Sequence, residues 1–187
     1  MTRLQHGLTL AAGLCLLALG SPAECGVQSA GPKIALHQSV SCSKCDRCFG
    51  SPTQACSDYD VEHPSEDPHG ELRHIYVIAV SPESNDGISE VNFGIDYPSN
   101  LVSLGWFLCA DSENPTTGWG YSTGGGNLVS WNPASNCQQQ VIGDDGVHAV
   151  VGLFYVLVYG AADFSVAAPI NHASPTIASC TGEHVIV

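Results

Sequence analysis

Basic residues are almost absent from this sequence, and their distribution is uneven. The 187 residues include only five Lys and Arg against 18 Asp and Glu, which gives a formal net charge of −13 at pH 7. Arg73 is the last cation, so residues 74–187 contain neither Lys nor Arg. Nucleic-acid binding requires clustered cations that neutralise phosphates, and this function is therefore excluded. The stability of 74–187 must depend on apolar burial, backbone hydrogen bonds, disulfides or bound cations, because Lys or Arg ion pairs cannot form within it.

Long helical periods, internal repeats and membrane-length apolar runs are also missing. The longest N-terminal apolar run, Leu8 to Leu19, follows the cation Arg3 and precedes small residues at 21–23. This pattern is typical of a secretory signal peptide, and we predict that residues 1–23 are removed. An uncleaved anchor is the alternative, although the run is shorter than the about 20 residues that span a bilayer. We therefore expect a secreted, periplasmic or cell-envelope protein with no membrane span after cleavage.

The sequence contains nine cysteines, and cleavage would remove Cys15 and leave eight. An even number in an exported chain favours disulfides, because oxidising compartments preserve them. The pairing stays open at this point, since eight cysteines allow about 105 connectivities. The candidate disulfide cysteines are Cys25, Cys42, Cys45, Cys48, Cys56, Cys109, Cys137 and Cys180.

Residues 24–71 combine five of these cysteines with many turn-forming residues and a weak periodicity. We predict an irregular Cys-rich segment that ends in an acidic, solvated linker. Disulfides are the favoured interpretation, because the usual zinc pattern of two separated Cys-x2-Cys pairs is missing. The alternatives are redox chemistry and a structural Zn²⁺ held by four thiolates. The thiolates of that zinc alternative are Cys42, Cys45, Cys48 and Cys56.

Residues 72–187 have a β pattern, with short apolar runs separated by Gly, Pro, Asn and Ser. Within 91–97, apolar residues alternate with small or polar ones, as expected for a strand that is buried on one face. The run 149–159 is almost entirely apolar, which favours a central strand buried on both faces. The pattern predicts an all-β fold, an antiparallel β-sandwich of about seven strands. The predicted strands are 74–80, 91–97, 101–110, 127–131, 149–159, 164–167 and 184–187.

One part of this β region resembles a known family. Residues 87–101 (GISEVNFGIDYPSNL) are similar to the early strand of cohesin-type and related secreted β-sandwich modules. In those modules an aromatic-x-hydrophobic-x-Tyr strand is followed by Pro and a turn, and a core strand similar to 150–159 comes later. The Asp that usually follows the Tyr is absent here. The resemblance implies a secreted sandwich that binds proteins or polysaccharides.

Trp119 and Tyr121 are the candidate ligand-binding residues. They lie in a glycine-rich stretch, so we expect them in a surface loop where their rings could stack on sugars. Trp106 and Trp131 lie in or beside predicted strands and are expected to pack in the core. A carbohydrate-binding module is therefore the second function hypothesis.

A G-x-S-x-G pattern occurs at residues 120–124 (GYSTG), with Ser122 at the nucleophile position. Asp144, Asp145, His148 and His172 follow it in the chain order of α/β hydrolases. The nucleophile elbow needs a strand, a strained turn and a helix, whereas this stretch reads as a glycine loop that leads into a strand. A small serine hydrolase is therefore the third and least favoured hypothesis.

Asp111, Glu113 and the pair Asp144-Asp145 could supply oxygen ligands for Ca²⁺, although an acidic surface that keeps the protein soluble explains them more simply. We predict no cofactor, with Ca²⁺ or a structural Zn²⁺ as the alternatives. The favoured function is a secreted, non-catalytic β-sandwich module for protein binding or structural assembly outside the cell or in the envelope. Its expected partner is an extracellular protein or a polysaccharide.

Overall fold

A computed structural model describes residues 31–40, 48, 69–82 and 86–187 of the chain. Within these residues the fold is all-β, with ten antiparallel strands in two sheets and no helix. The predicted antiparallel β-sandwich is confirmed. The first sheet has the strand order β1-β2-β7-β4. Its strands are β1 (Lys33–Val40), β2 (Glu71–Ser81), β4 (Leu101–Leu108) and β7 (Val147–Val158).

The second sheet has the strand order β10-β9-β3-β6-β5. The short strand β8 pairs with the end of β3, on the same side of β3 as β9. Residues 117–124 form the turn-rich loop that leads into β6. The strands of this sheet are β3 (Glu90–Asp96), β5 (Ser112–Pro115), β6 (Gly126–Ser130), β8 (Ser165–Ala167), β9 (Thr176–Ala178) and β10 (His184–Ile186).

The core fills the space between the two sheets. The first sheet contributes Val77 and Phe154, and the second contributes Val91, Phe93 and Ile177, all of them buried. Each fully buried side chain of this kind stabilises the fold by about 1.5–3 kcal/mol relative to an exposed one. Apolar residues at every second position of a strand lie on one face, so the period-two pattern of the sequence determines which face of each sheet packs in the core.

Strands β2 and β7 are buried on both faces. In β7, Val151 and Phe154 pack in the core between the sheets, whereas Val150 and Leu153 are buried in a second apolar cluster. The prediction of a central strand for 149–159 is confirmed, since β7 lies between β2 and β4. The first sheet therefore has an apolar outer face as well as an apolar inner one.

Three strands occur where the sequence analysis places none. The prediction of irregular structure is wrong for 33–40, because β1 pairs with β2 from Lys33↔Val80 to Val40↔Arg73. An edge strand pairs on one side only, and Ile34 and Leu36 alone pack against the core. Strands β5 and β9 are also short and contain few apolar residues. They form because they pair with neighbouring strands, and their own residue pattern gives little indication of a strand.

Two disulfides link distant parts of the chain. Cys48 is bonded to Cys109 with a Cα–Cα distance of 5.4 Å, and Cys137 is bonded to Cys180 with one of 5.9 Å. Cys48 is therefore not available as one of the four thiolates of the zinc alternative. The two disulfides close loops of 61 and 43 residues. A disulfide that closes a loop of such length lowers the entropy of the unfolded chain, and this stabilises the fold by about 4 kcal/mol.

The other N-terminal predictions lie outside the described residues. These include the signal peptide at 1–23, most of the acidic linker, and the remaining candidate cysteines Cys25, Cys42, Cys45 and Cys56. In the parts of the chain that the structure describes, nothing helical has the length and apolarity that crossing a bilayer requires.

Gly152 in the middle of β7 allows a close approach of Trp106. A Cβ at this position would overlap the Cη2 and Cζ2 atoms of the Trp106 ring and lie 2.5 Å from the Phe107 carbonyl oxygen. The indole therefore packs directly on the β7 backbone. The core tolerates no side chain at residue 152.

We expect Gly152→Ala to destabilise the protein by about 1–3 kcal/mol, because the added methyl overpacks the core. Urea unfolding followed by Trp fluorescence measures this change. Gly31→Ala is the matched control, since a Cβ there meets nothing within 4 Å. Equal unfolding free energies for the two variants would show that the Trp106 ring is not packed on Gly152.

Candidate functional site

Trp119 is buried and does not form part of a surface platform. It is 7% exposed, and its ring lies 5.2 Å from that of Phe93, 5.6 Å from that of Trp106 and 5.5 Å from that of Phe154, each in an edge arrangement. The expectation that the Trp119 ring lies at the surface is therefore wrong. The indole has a large apolar area, and burying that area against the core rings stabilises the fold.

The loop 117–124 folds back onto the core because of the glycines on either side of Trp119. Gly120 has φ +83°, and a Cβ there would lie 2.9 Å from the Cβ of Trp106. The Gly120 carbonyl also accepts a hydrogen bond from the buried Ser103 hydroxyl of β4. The same glycines that suggest a flexible loop thus hold it against β4.

The predicted core positions of Trp106 and Trp131 are correct. Trp106 packs against Phe154 at 4.6 Å between ring centroids, and Trp131 is buried. Their indole N–H groups donate to the Glu113 carboxylate at 2.9 Å and to the Cys109 carbonyl at 3.3 Å, respectively. The three Trp side chains therefore serve the fold.

Tyr121 differs from Trp119 because its side chain is 70% exposed. The ring and hydroxyl of Tyr121 lie 3.6–3.9 Å from the point that a Cβ of Gly105 would occupy, at the β4 edge. Gly105 follows Leu104, which sits at a register irregularity of β4 and is 50% exposed. The predicted surface residue therefore lies beside an exposed aliphatic side chain.

These two residues extend into a larger exposed region on the outer face of the first sheet. Leu72, Leu157 and Val102 face one another in one row across β2, β7 and β4. Tyr159 adjoins this row, because its ring and the Leu157 side chain both lie within 3.1 Å of the Cβ position of Gly70. We call this region the apolar patch. It consists of Leu72, Val102, Leu104, Tyr121, Leu157 and Tyr159.

The outer face of the second sheet has a different character. Its central row crosses five strands, from Asn114 through Leu128 and Asn92 to Thr176 and Ile186. The next row carries hydroxyl and charged groups, with the Ser112 and Ser130 hydroxyls 2.9 Å apart and the His184 ring 3.8 Å from the Glu90 carboxylate. This polar face was not singled out in the sequence, since its residues come from short strands whose pairing the sequence does not reveal.

Two of the acidic residues considered for Ca²⁺, Asp111 and Glu113, are already hydrogen-bonded to protein groups. The Asp111 carboxylate accepts hydrogen bonds from the Asn132 backbone N–H at 2.7 Å and from the Asn136 side-chain amide at 2.9 Å. Both bonds lower the pKa of Asp111, and the bond from Asn132 has the larger effect. The Glu113 carboxylate accepts from Trp106 and from Asn127. Among the described residues, no group of three His, Cys, Asp or Glu side chains is arranged to hold a metal ion. The absence of a cofactor remains a prediction, with Ca²⁺ as one of its alternatives.

Ser122 does not occupy a nucleophile elbow. It lies exposed in the turns of 117–124, which continue into β6 and not into a helix, and its hydroxyl donates to the Gly118 carbonyl at 3.1 Å. His148, in contrast, is a buried residue of β7. The sequence match at 120–124 thus lacks the strand–turn–helix setting that activates such a serine.

His148 has an altered titration. Burial lowers the pKa of the His148 imidazole below its ordinary value of 6.5, and the nearby Asp145 carboxylate partly opposes this shift. Because burial disfavours the charged form, the folded protein keeps this ring neutral at neutral pH. The imidazole is a buried structural group.

Comparisons with known proteins give one structural likeness. No family model and no curated protein sequence matches this chain. The fold is similar to the sixth cohesin of scaffoldin B from Acetivibrio cellulolyticus, whose structure was solved in complex with a mutant Cel5 dockerin. The two chains are 14% identical with a TM-score of 0.45, over 62% of this chain and 82% of the cohesin.

Replacing the two loop aromatics should have opposite consequences for stability. We expect Trp119→Ala to lower the free energy of unfolding by about 3–5 kcal/mol, because it opens a cavity among three rings. Tyr121→Ala should change it by less than about 0.5 kcal/mol, because the side chain is mostly exposed. Chemical denaturation of both variants measures the difference. A large loss for Tyr121→Ala would mean that this ring is a core residue.

The buried His148 predicts a pH dependence of stability. Between the lowered pKa of the folded state and about 6.5 in the unfolded state, the unfolded chain binds more protons. The contribution is therefore fully present above pH 6.5 and declines as the pH falls below it. We expect His148→Gln to reduce this decline in urea unfolding curves, whereas His184→Gln, at an exposed site, should preserve it. An unchanged decline in His148→Gln would contradict the assignment.

Proposed function

We propose that this chain is an exported, non-catalytic module that binds a protein through the apolar patch. The single observation that carries the proposal is the exposure of large apolar side chains in adjoining positions on one sheet face. Isolated exposed apolar residues are common, but contiguous ones rimmed by polar groups mark interaction sites in soluble proteins. Its most exposed members are Tyr121 and Leu104, followed by Val102 and Tyr159.

The position of the patch also suits a protein partner. It spans Leu72 of β2, Leu157 of β7 and the exposed side of β4, so most of it rests on paired strands. A rigid sheet loses little conformational entropy on binding, which leaves more of the apolar contact energy for affinity. Tyr121 adds a ring with a polar end, the kind of side chain that often dominates binding energy.

The charge of the chain limits the chemistry of the partner. The net charge is −13, and no cation follows Arg73 in the sequence. An acidic partner would be repelled, so we infer a partner whose contact surface is apolar at its centre and neutral or basic at its rim. Export is supported by the predicted signal peptide and by the two disulfides, which persist in oxidising compartments.

The test is affinity capture from the extracellular and envelope fractions of the source organism. Val102→Asp and Leu104→Asp place carboxylates in the patch without touching the core. We expect either variant to weaken retention of the captured protein by about tenfold or more, as for substitutions in the centre of an interface. Ile186→Asp is the matched control, since it adds the same charge at an exposed apolar position on the opposite sheet.

The opposite pattern would locate binding elsewhere. If Ile186→Asp abolishes capture and Leu104→Asp does not, the polar face of the second sheet is the binding surface and the patch proposal fails. Retention on insoluble polysaccharide that is lost in Tyr121→Ala would instead support the carbohydrate-binding alternative.

A further inference from the structure

Strand β4 is an edge strand whose own sequence does little to protect it. It pairs with β7 on one side, and no other strand in the described ranges pairs with it. Its eight residues (LVSLGWFL) include no charge and no Pro, two devices that prevent an edge strand from pairing with another chain. The edge strand β5 of the second sheet, in contrast, contains Glu113 and Pro115. An uncharged apolar edge such as β4 is a template for another chain unless another feature covers it.

Two backbone hydrogen bonds show which groups of β4 point away from β7. The Cys109 N–H donates to the Val151 carbonyl at 3.1 Å, and the Tyr159 N–H donates to the Asn100 carbonyl at 3.0 Å. In an antiparallel pair, residues that bond to the partner strand alternate with residues whose N–H and C=O point the other way. This alternation runs inward from both bonds and meets at the register irregularity between 103 and 105. The residues on either side of it whose backbone groups point outward are Ser103 and Trp106.

The loop residues 118–121 lie against these outward-pointing groups, and we call them the clasp. The Ser103 hydroxyl donates a hydrogen bond to the Gly120 carbonyl. A Cβ on Gly120 would lie 2.9 Å from the Cβ and 3.3 Å from the backbone N of Trp106, so the Gly120 backbone packs directly on the edge. Gly120 has a φ of +83°, in the left-handed region that glycine adopts without strain.

The side chains on either side of Gly120 lie on opposite faces of the first sheet. Trp119 is buried between the sheets, where its ring packs among the aromatic rings of the core. Tyr121 lies on the outer face, because its ring and hydroxyl are 3.6–3.9 Å from the Cβ position of Gly105, which shares an outer row with Tyr155. The clasp therefore contacts the edge of β4 from both faces.

The clasp covers this edge without pairing with it. Within the described residues, no backbone hydrogen bond joins 118–121 to β4. The backbone bonds of the clasp are local, from the Tyr121 N–H to the Gly118 carbonyl and from the Trp119 N–H to the Thr116 carbonyl, each at 3.1 Å. The outward-pointing groups of β4 would therefore be available to another strand if the clasp moved away.

We infer that the clasp prevents the edge of β4 from pairing with the same edge of a second copy of this chain. Antiparallel pairing of two identical edges is self-complementary about a two-fold axis, so a second copy offers matching backbone groups. The exposed Val102 and Leu104 side chains would add apolar contact across such a pair. With this edge covered, the apolar patch can bind a partner without self-association of the chain, a consequence that rests on the proposed function.

The test opens the clasp in the full chain without its predicted signal peptide and measures self-association by sedimentation velocity. Gly120→Ala should displace the clasp, because its methyl group would crowd Trp106 and alanine is strained at this φ. We expect this variant to self-associate about tenfold more tightly than the parent chain. Gly124→Ala is the matched control, since Gly124 has a φ of +75° in the same loop but a Cβ there meets nothing within 4 Å. Equal self-association of the two variants would overturn the inference.

Hydrogen exchange identifies the surface through which the copies associate. Raising the concentration of Gly120→Ala should slow the exchange of the Ser103 and Trp106 amides, because these groups point away from β7 and would pair with the second copy. Self-association without slower exchange at these two amides would place the contact elsewhere, on the apolar patch for example, and would contradict the inference. This experiment uses the chain alone, so its outcome is separate from partner binding at the patch.

A milder variant keeps the test decisive if Gly120→Ala does not fold. Ser103→Ala removes the hydrogen bond to the Gly120 carbonyl and keeps both aromatic contacts of the clasp. We expect it to strengthen self-association by about fivefold, as for the loss of one hydrogen bond. Trp119→Phe should behave as the parent chain, because the buried indole N–H of Trp119 has no hydrogen-bond partner and the aromatic contacts are kept. Self-association of Ser103→Ala at the level of the parent chain would also overturn the inference.

Discussion

The sandwich depends on one aromatic cluster between its sheets, in which Trp106 packs on the β7 backbone of its own sheet and against a ring of the other sheet. The indole lies on Gly152, 4.6 Å from the Phe154 ring of its own sheet and 6.2 Å from the Phe93 ring of the other. Trp119 then closes the cluster from the loop side. Because the chain has no cation after Arg73, charge pairs cannot take over this role, and apolar contact must join the two layers.

The same shortage of cations explains how the acidic side chains are used. Asp111 and Glu113 accept hydrogen bonds from amide and indole N–H groups, and Asp96 accepts one from the Thr123 hydroxyl at 2.5 Å. Each of these bonds ties a loop or an edge strand to a neighbouring element. Hydrogen bonds to a carboxylate are stronger than neutral ones, so neutral donors can do here what Lys and Arg do in most proteins.

The parts of this fold that the sequence predicts are those in which burial and local pattern agree. The alternation in 91–97 and the apolar run in 149–159 predict β3 and β7, since a strand's side chains alternate between faces. The sequence does not predict β1, β5 or β9, because short edge strands depend on pairing with residues far away in the chain. The sequence pattern also misplaces Trp119. A glycine-rich stretch indicates a loop, but it does not distinguish a loop that projects into solvent from one that folds back onto the core. The apolar patch joins residues of three strands and a loop, and only the register brings them together.

The composition of β2 and β7 connects the fold to the proposed binding role. In most antiparallel sandwiches the outer residues of each strand are polar, whereas continuous apolar runs belong to strands covered on both faces. Here 74–80 and 149–158 are such runs, although the second sheet covers only one face. The outer face therefore has two parts. Ile78 and Leu153 are buried there, whereas the exposed Val102 and Leu104 form a surface that gains free energy when another molecule covers it.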